Sequence, residues 1–220
     1  MERTPEPELM TEREQAIAYA EADFEEPHSH FIALLQDRFP ELPERGGALD
    51  LGCGTADITI RFARAFPSWR VDGLDGSPAM LGLGREAVQE ADLGERVNLL
   101  LSSLPGGSAP RQHYDLLFSN SLLHHLADPA VLWSSIRRWG PAGTPVFVMD
   151  LLRPASREDA RGLVERYAQG EPEILRRDFY NSLLAAYRPA EVQDQLEKAG
   201  LHSLQISISS DRHLIVWGRA

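Results

Sequence analysis

Apolar residues recur along this chain in two alternating rhythms. Short runs read as strands: Ala48–Leu51, Trp69–Leu74, Val97–Leu101, Tyr114–Ser119, which is nearly all apolar, and Pro145–Asp150. The Tyr114–Ser119 run fits a central strand covered on both faces. Between the runs lie stretches with helical spacing. Ile58, Phe62, Ala65 and Phe66 give one helix its buried stripe. Ser77-Pro78 is an N-cap followed by proline at the first helical position, and Asp128-Pro129 opens a helix reaching about Trp139. Earlier, residues 1–11 are expected to form a mobile tail. Residues 11–39 read as helix, broken at Pro27, with Phe31, Ile32, Leu34, Leu35 and Phe39 on its apolar face.

Strands alternating with helices predict a parallel sheet with right-handed crossovers. The rhythm changes after residue 150. Residues 151–188 hold no strand signal and read as a helical insertion, with Ser156 and Asp159 spaced as a capping box. Pro189–Lys198 predicts a helix closed by Gly200. Leu204, Ile206 and Ile208 then alternate with polar residues, and Ser210-Asp211-Arg212 can turn the chain into His213–Trp217. The expected organisation is one domain over 1–220: an N-terminal helical lid or cap (1–45), a ligand-binding core (46–150), the insertion (151–188), and a C-terminal helix and hairpin (189–220).

Composition narrows the function. The 220 residues carry a net charge of −11 and no run of Lys and Arg, which argues against a nucleic-acid surface. Cys53 is the single cysteine, so an internal disulfide and a Cys-based zinc site are excluded, and no metal centre is expected. The acidic start, Met1 to Glu8, lacks the apolar core of a signal peptide, and no apolar run reaches membrane-spanning length. A cytoplasmic location is the default expectation. Oligomeric state is left open.

The densest chemistry lies in Ala48-Leu49-Asp50-Leu51-Gly52-Cys53-Gly54-Thr55-Ala56-Asp57. It reads as a strand, a glycine turn and a helix start. Gly52 and Gly54 lack Cβ, so a ligand can lie against bare backbone, with the Asp50 carboxylate nearby. The next strand ends at Asp75, whose carboxylate can accept two hydrogen bonds from the vicinal hydroxyls of a ribose. A dinucleotide fingerprint places a third glycine where this chain has Asp57, and a carboxylate there suits a pyrophosphate poorly.

The D-L-G-C-G-T-A spacing resembles motif I of the class I S-adenosylmethionine methyltransferases, with Ala56 in place of the last glycine. Val71 to Leu81, an acidic strand end followed by Ser-Pro, is similar to that family's next motif. Tyr114 to Leu126 resembles its fourth strand and following loop. The resemblance spans roughly residues 46–150. It implies an α/β fold: a Rossmann-like, doubly wound sheet of about seven strands, mostly parallel with an antiparallel last strand. It also implies S-adenosylmethionine as cofactor, held by Asp50, Gly52, Cys53, Gly54, Asp75, Gly76 and Met80. Ser102 or Ser103 would stand near adenine, with Ser119 and Asn120 on the same rim.

The acceptor belongs beyond the methyl group. His124 and His125, just past the fourth strand, are candidates to act as base or to orient it. Tyr19 and His28 are candidates on a helical lid. Arg176 and Arg177 with Tyr180 are candidates to clamp an anionic acceptor. The expected activity is methyl transfer to a small molecule. A NAD-dependent oxidoreductase and a non-catalytic S-adenosylmethionine-binding module are the alternatives.

Overall fold

The computed structural model describes residues 1–6 and 13–220. Its strands are β1 (Gly47–Leu51), β2 (Arg70–Asp75), β3 (Val97–Leu101), β4 (Leu116–Asn120), β5 (Pro145–Leu151), β6 (Gln205–Ile208) and β7 (His213–Arg219). They form one seven-stranded sheet in the order β3-β2-β1-β4-β5-β7-β6. The first five are parallel, and β7 runs antiparallel to both β5 and β6. The order reverses at β1: β2 and β3 lie to one side, β4 and β5 to the other. Crossovers therefore leave in opposite directions there and open a crevice at the carboxyl ends of β1 and β4.

Side-chain alternation along each strand builds two cores, one per face. Ala48, Leu116, Phe118 and Phe147 face α2 (Glu25–Arg38), α3 (Asp57–Ala65) and α4 (Pro78–Glu90). Leu49, Leu117, Val146 and Val148 face α5 (Ala130–Trp139) and α8 (Pro189–Ala199). Phe31 of α2 meets Phe118 and Phe147 edge-on, with centroids 6.1 and 4.9 Å away. The insertion forms α6 (Arg157–Tyr167) and α7 (Glu173–Ala185) around a smaller core that includes Leu163, Val164, Leu183 and Leu184. Its capping box forms: the Asp159 amide donates to Ser156 Oγ at 3.1 Å, and the Ser156 amide donates to Asp159 Oδ2 at 3.0 Å.

Two expectations about the N-terminal region change. The helical stretch divides into α1 (Arg13–Glu21) and α2, and the break falls at Ala22–Phe24, ahead of Pro27. Pro27 sits in the first turn of α2, where a missing N–H costs no helical hydrogen bond. Asp23 Oδ1 instead accepts the Glu25 amide at 2.9 Å. The expected tail is fastened over residues 1–6. The Thr4 amide donates to the Leu184 carbonyl at 2.9 Å, and Arg3 Nε donates to the Ala185 carbonyl at 2.6 Å. The Arg3 guanidinium also lies 4.2 Å over the Tyr187 ring. Residues 7–11 of that expectation, and residues 11 and 12 of the expected helix, lie outside the described residues.

Candidate functional site

The turn after β1 is held from beneath. The Gly52 and Cys53 amides both donate to the Leu74 carbonyl, at 2.8 and 3.0 Å. Gly52 and Gly54 have φ of +76° and +51°. A Cβ at Gly52 would come within 2.9 Å of Leu122, so the position needs glycine for conformation and for space. Ala56, which replaces the motif's last glycine, also takes a left-handed φ of 66°. An alanine there carries roughly 1–2 kcal/mol of backbone strain. Asp75 closes the arrangement: Oδ2 accepts the Gly54 amide at 2.9 Å and Oδ1 accepts the Ser77 amide at 2.7 Å. Each carboxylate oxygen has a second lone pair, so Asp75 retains capacity for a ligand.

A cavity of about 770 Å³ runs along the carboxyl ends of the strands. One end is lined by Asp50, Gly52, Cys53, Gly54, Asp75, Gly76, Met80, Ser102, Ser103 and Asn120. The expected cofactor set is thus brought together, apart from Ser119. That residue is fully buried beneath the rim, and its Oγ donates to the Leu51 carbonyl at 2.6 Å. Alternation along β4 sends Ser119 inward and Asn120 into the cavity. Asn120 Oδ1 is buried and has no hydrogen-bond partner among the described residues. Ser102 Oγ accepts the Ser108 amide at 3.0 Å, which commits it to its own loop and leaves Ser103 the better placed of the two serines.

Burial sets the charges at this end. Asp50 is 1% exposed, and burial pushes its carboxyl up to about 7, against the hydrogen bond donated by Thr59 Oγ1 at 2.5 Å. Burial also raises Asp75, offset by the amides of Ser77, Gly54 and Gly76. Burial holds the Cys53 thiol well above its ordinary range, so it stays protonated and unreactive.

The other end is lined by Leu122, His124, His125, Met149, Phe179, Ser182, Arg212 and His213. His124 is 2% exposed. Its Nδ1 lies 2.6 Å from Oδ1 of Asp150, the last but one residue of β5. Asp150 Oδ2 accepts the Leu123 amide at 2.7 Å. Burial alone would raise Asp150, but the neighbouring His124 draws it below its ordinary range. An ionised carboxylate accepts only, so His124 Nδ1 carries the proton and Nε2 is turned away from Asp150. Burial pulls His124 down, but Asp150 outweighs it and the net shift is upward. The Arg3 guanidinium donates to the His124 carbonyl at 2.8 Å, which ties the N-terminal segment to this corner.

Tyr19 and His28 line the cavity from α1 and α2, with the Phe24 ring between them, tilted against Tyr19 and stacked on His28 at centroid distances of 4.8 and 5.0 Å. His28 Nδ1 is taken up by Asp57. Burial, with Asp57 and Asp75 nearby, raises the Tyr19 phenol to about 12. The expected anion clamp is not assembled at the cavity. Helical periodicity turns Leu175, Asp178, Phe179 and Ser182 of α7 inward, and Arg176, Arg177 and Tyr180 off that face. Arg176 pairs with Glu165, while Arg177, 62% exposed, pairs with Asp178 at 3.2 Å. Asp150, Arg212, His213 and Asp178 were not singled out from the sequence. Asp150 had a usable signal, because it is an acid near the end of β5, as Asp75 is at the end of β2. The others lie on segments whose approach to the cavity no local pattern records.

Comparison with known proteins gives the same picture. A family model described as a methyltransferase domain matches residues 49–143. A trans-aconitate 2-methyltransferase of Variovorax paradoxus is 33% identical over 118 residues, covering 54% of this chain and 42% of that protein. The chain thus spans under half the length of this curated relative. A structure of an S-adenosylmethionine-dependent methyltransferase from Aquifex aeolicus superposes with a TM-score of 0.61 at 16% identity, covering 87% of this chain and 97% of its own. The plantazolicin methyltransferase BpumL, solved with a pentazolic substrate analogue and S-adenosylhomocysteine, gives a TM-score of 0.69 at 14% identity, covering 94% and 91%. Sheet order, glycine turn and strand-end acids therefore place this chain in the class I S-adenosylmethionine-dependent methyltransferase fold.

Proposed function

We propose that the protein transfers a methyl group from S-adenosylmethionine to a small-molecule acceptor. One observation carries the reading: a single cavity joins the bare Gly52–Gly54 backbone and the Asp75 carboxylate to the His124–His125 corner. The residues present fit the cofactor. Gly52 and Gly54 leave the backbone open to a nucleoside, Asp75 can accept from ribose hydroxyls, and the orphaned Asn120 Oδ1 offers an acceptor to a ligand N–H. The Asp50, Asp57 and Asp75 carboxylates suit a sulfonium cation and disfavour the pyrophosphate of a nicotinamide dinucleotide.

Bound against Gly52, Gly54 and Asp75, S-adenosylmethionine would supply an electrophilic methyl group to an acceptor lone pair, with the neutral sulfide as leaving group. The chain's part is to align the acceptor in a space closed to water, where positioning provides a large share of the rate. Leu122, Met149 and Phe179 provide apolar wall at the acceptor end, where His124 and His125 also line the cavity. The acceptor contacts proposed for this end are His124, His125 and Ser182, with Tyr19 and His28 closing the side. Relatives named for trans-aconitate and plantazolicin methylation support an organic acceptor as the class.

Calorimetric titration with S-adenosylmethionine is expected to show one saturable site. Asp75→Ala should weaken it by about 2 kcal/mol or more, close to thirtyfold, through loss of charge-assisted hydrogen bonds. Unchanged affinity would refute the ribose assignment. Incubation with a panel of small acceptors should then release S-adenosylhomocysteine; binding without turnover on any acceptor would instead make the protein a cofactor-binding module.

A further inference from the structure

The fastened N-terminal segment brings a carboxylate to the two histidines. Glu6 has a side chain only 10% exposed, and its Oε1 lies 3.5 Å from His124 Nε2 and 3.2 Å from His125 Nδ1. One ligand atom from each of the three residues falls within 4.8 Å of the other two. Ser182 Oγ donates to Glu6 Oε1 at 2.9 Å and fixes the carboxylate in place. Behind the cluster, Asp150 holds His124 Nδ1, so Nε2 is the ring nitrogen that faces Glu6. An imidazole nitrogen and a carboxylate oxygen facing each other in a buried corner can share either a proton or a metal ion.

We propose that Glu6, His124 and His125 bind a divalent transition-metal ion of the zinc type. Bonds of about 2.0–2.2 Å to a tetrahedral ion separate adjacent ligand atoms by roughly 3.4 Å. The two Glu6 distances, 3.2 and 3.5 Å, bracket that value. Two imidazoles and one carboxylate suit zinc, cobalt or iron, whereas calcium and magnesium favour oxygen-only sets. The Asp150–His124 contact is the outer carboxylate that ligating histidines usually carry, fixing tautomer and ring orientation. Charge also balances, since Glu6 and Asp150 together match a dication. Three protein ligands leave a position open, and His124, His125 and Ser182 all line the cavity, so a small oxygen or nitrogen ligand could complete the coordination from that side. The ion site stands on this geometry alone; only its use in holding an acceptor rests on the methyl-transfer reading.

The test is titration of chelator-treated full-length protein with zinc chloride by calorimetry, and with cobalt(II) by visible absorption. One equivalent at micromolar affinity or tighter, with the intense bands of four-coordinate cobalt, is expected. Glu6→Gln and His125→Ala should each weaken zinc about tenfold or more, and Asp150→Asn by about 10–100-fold. Thermal unfolding of the metal-free variants checks that they are folded. Absence of saturable zinc binding by the wild-type protein would overturn the proposal, as would affinity unmoved in Glu6→Gln and His125→Ala. S-adenosylmethionine binding, titrated separately, reports on the methyl-transfer reading without touching this one.

Discussion

Asp50 shows how a site residue can work against the fold that holds it. Its folded value of about 7 lies far above its ordinary one of 3.8, with burial as the main cause. The folded state therefore binds a proton that the unfolded chain has released. The cost of Asp50 is absent below pH 4, grows as pH rises, and is complete above pH 7. The limit is about 4 kcal/mol. Asp50→Asn keeps the acceptor for Thr59 and removes the charge. At pH 8 the ligand-free variant should melt several degrees higher than wild type, and near pH 4 the two should coincide; equal melting at pH 8 would show that Asp50 is not a burdened acid. The same variant should bind S-adenosylmethionine more weakly, because the cofactor end of the cavity loses a negative charge. Gly52, Gly54, Asp50 and Asp75 were legible in the sequence, since turn, strand end and ligand chemistry are all local there. Ser119 was not resolved from Asn120, because a one-residue difference in strand phase decides which enters the cavity.

At the scale of elements, α1 and α2 cover the side of the cavity through Tyr19, Phe24 and His28. Phe31 and Leu35 anchor α2 in the main core, whereas Ala16 is the only fully buried residue of α1. Such unequal anchoring suits α1 to open while α2 stays docked. Hydrogen exchange of the α1 amides should slow when S-adenosylmethionine is added, by up to about 100-fold at a hundredfold excess over Kd. Exchange unaffected by the cofactor would leave α1 with no closing role. The insertion was recognisable as helix from its rhythm, and its cap from Ser156 and Asp159. Which face of α7 meets the cavity was not, because Arg176 and Arg177 are as compatible with an exposed face as with a lining one.

Across the whole molecule, acid sensitivity should centre on the corner where β7, α2 and β5 meet. His213 is buried, and burial, followed by Arg212, lowers it from 6.5 to about 3. Asp150 opposes this, while His30 and His28 add to it. The folded state thus keeps His213 neutral while the unfolded chain protonates it. Stability from this residue is whole above pH 6.5 and is lost progressively as pH falls toward 3, by roughly 3–5 kcal/mol. Urea unfolding from pH 7 to 4 should show that slope in the wild type and a shallower one in His213→Gln; parallel slopes would exclude His213 as the source. Among the described residues no helix is long and apolar enough to cross a membrane.

The sequence by itself determined the parallel core, the glycine turn, the strand-end acids and the C-terminal hairpin. Each is written in contiguous residues, where spacing and residue type act directly on backbone geometry. Tertiary structure alone decided what meets at the far end of the cavity. Glu6, His124, Asp150 and Ser182 come from four separate segments, and only sheet order and the docking of residues 1–6 bring them within hydrogen-bonding reach. Burial, which sets the charge states of Asp50 and His213, is likewise a property of packing from several elements at once, and no stretch of chain carries it.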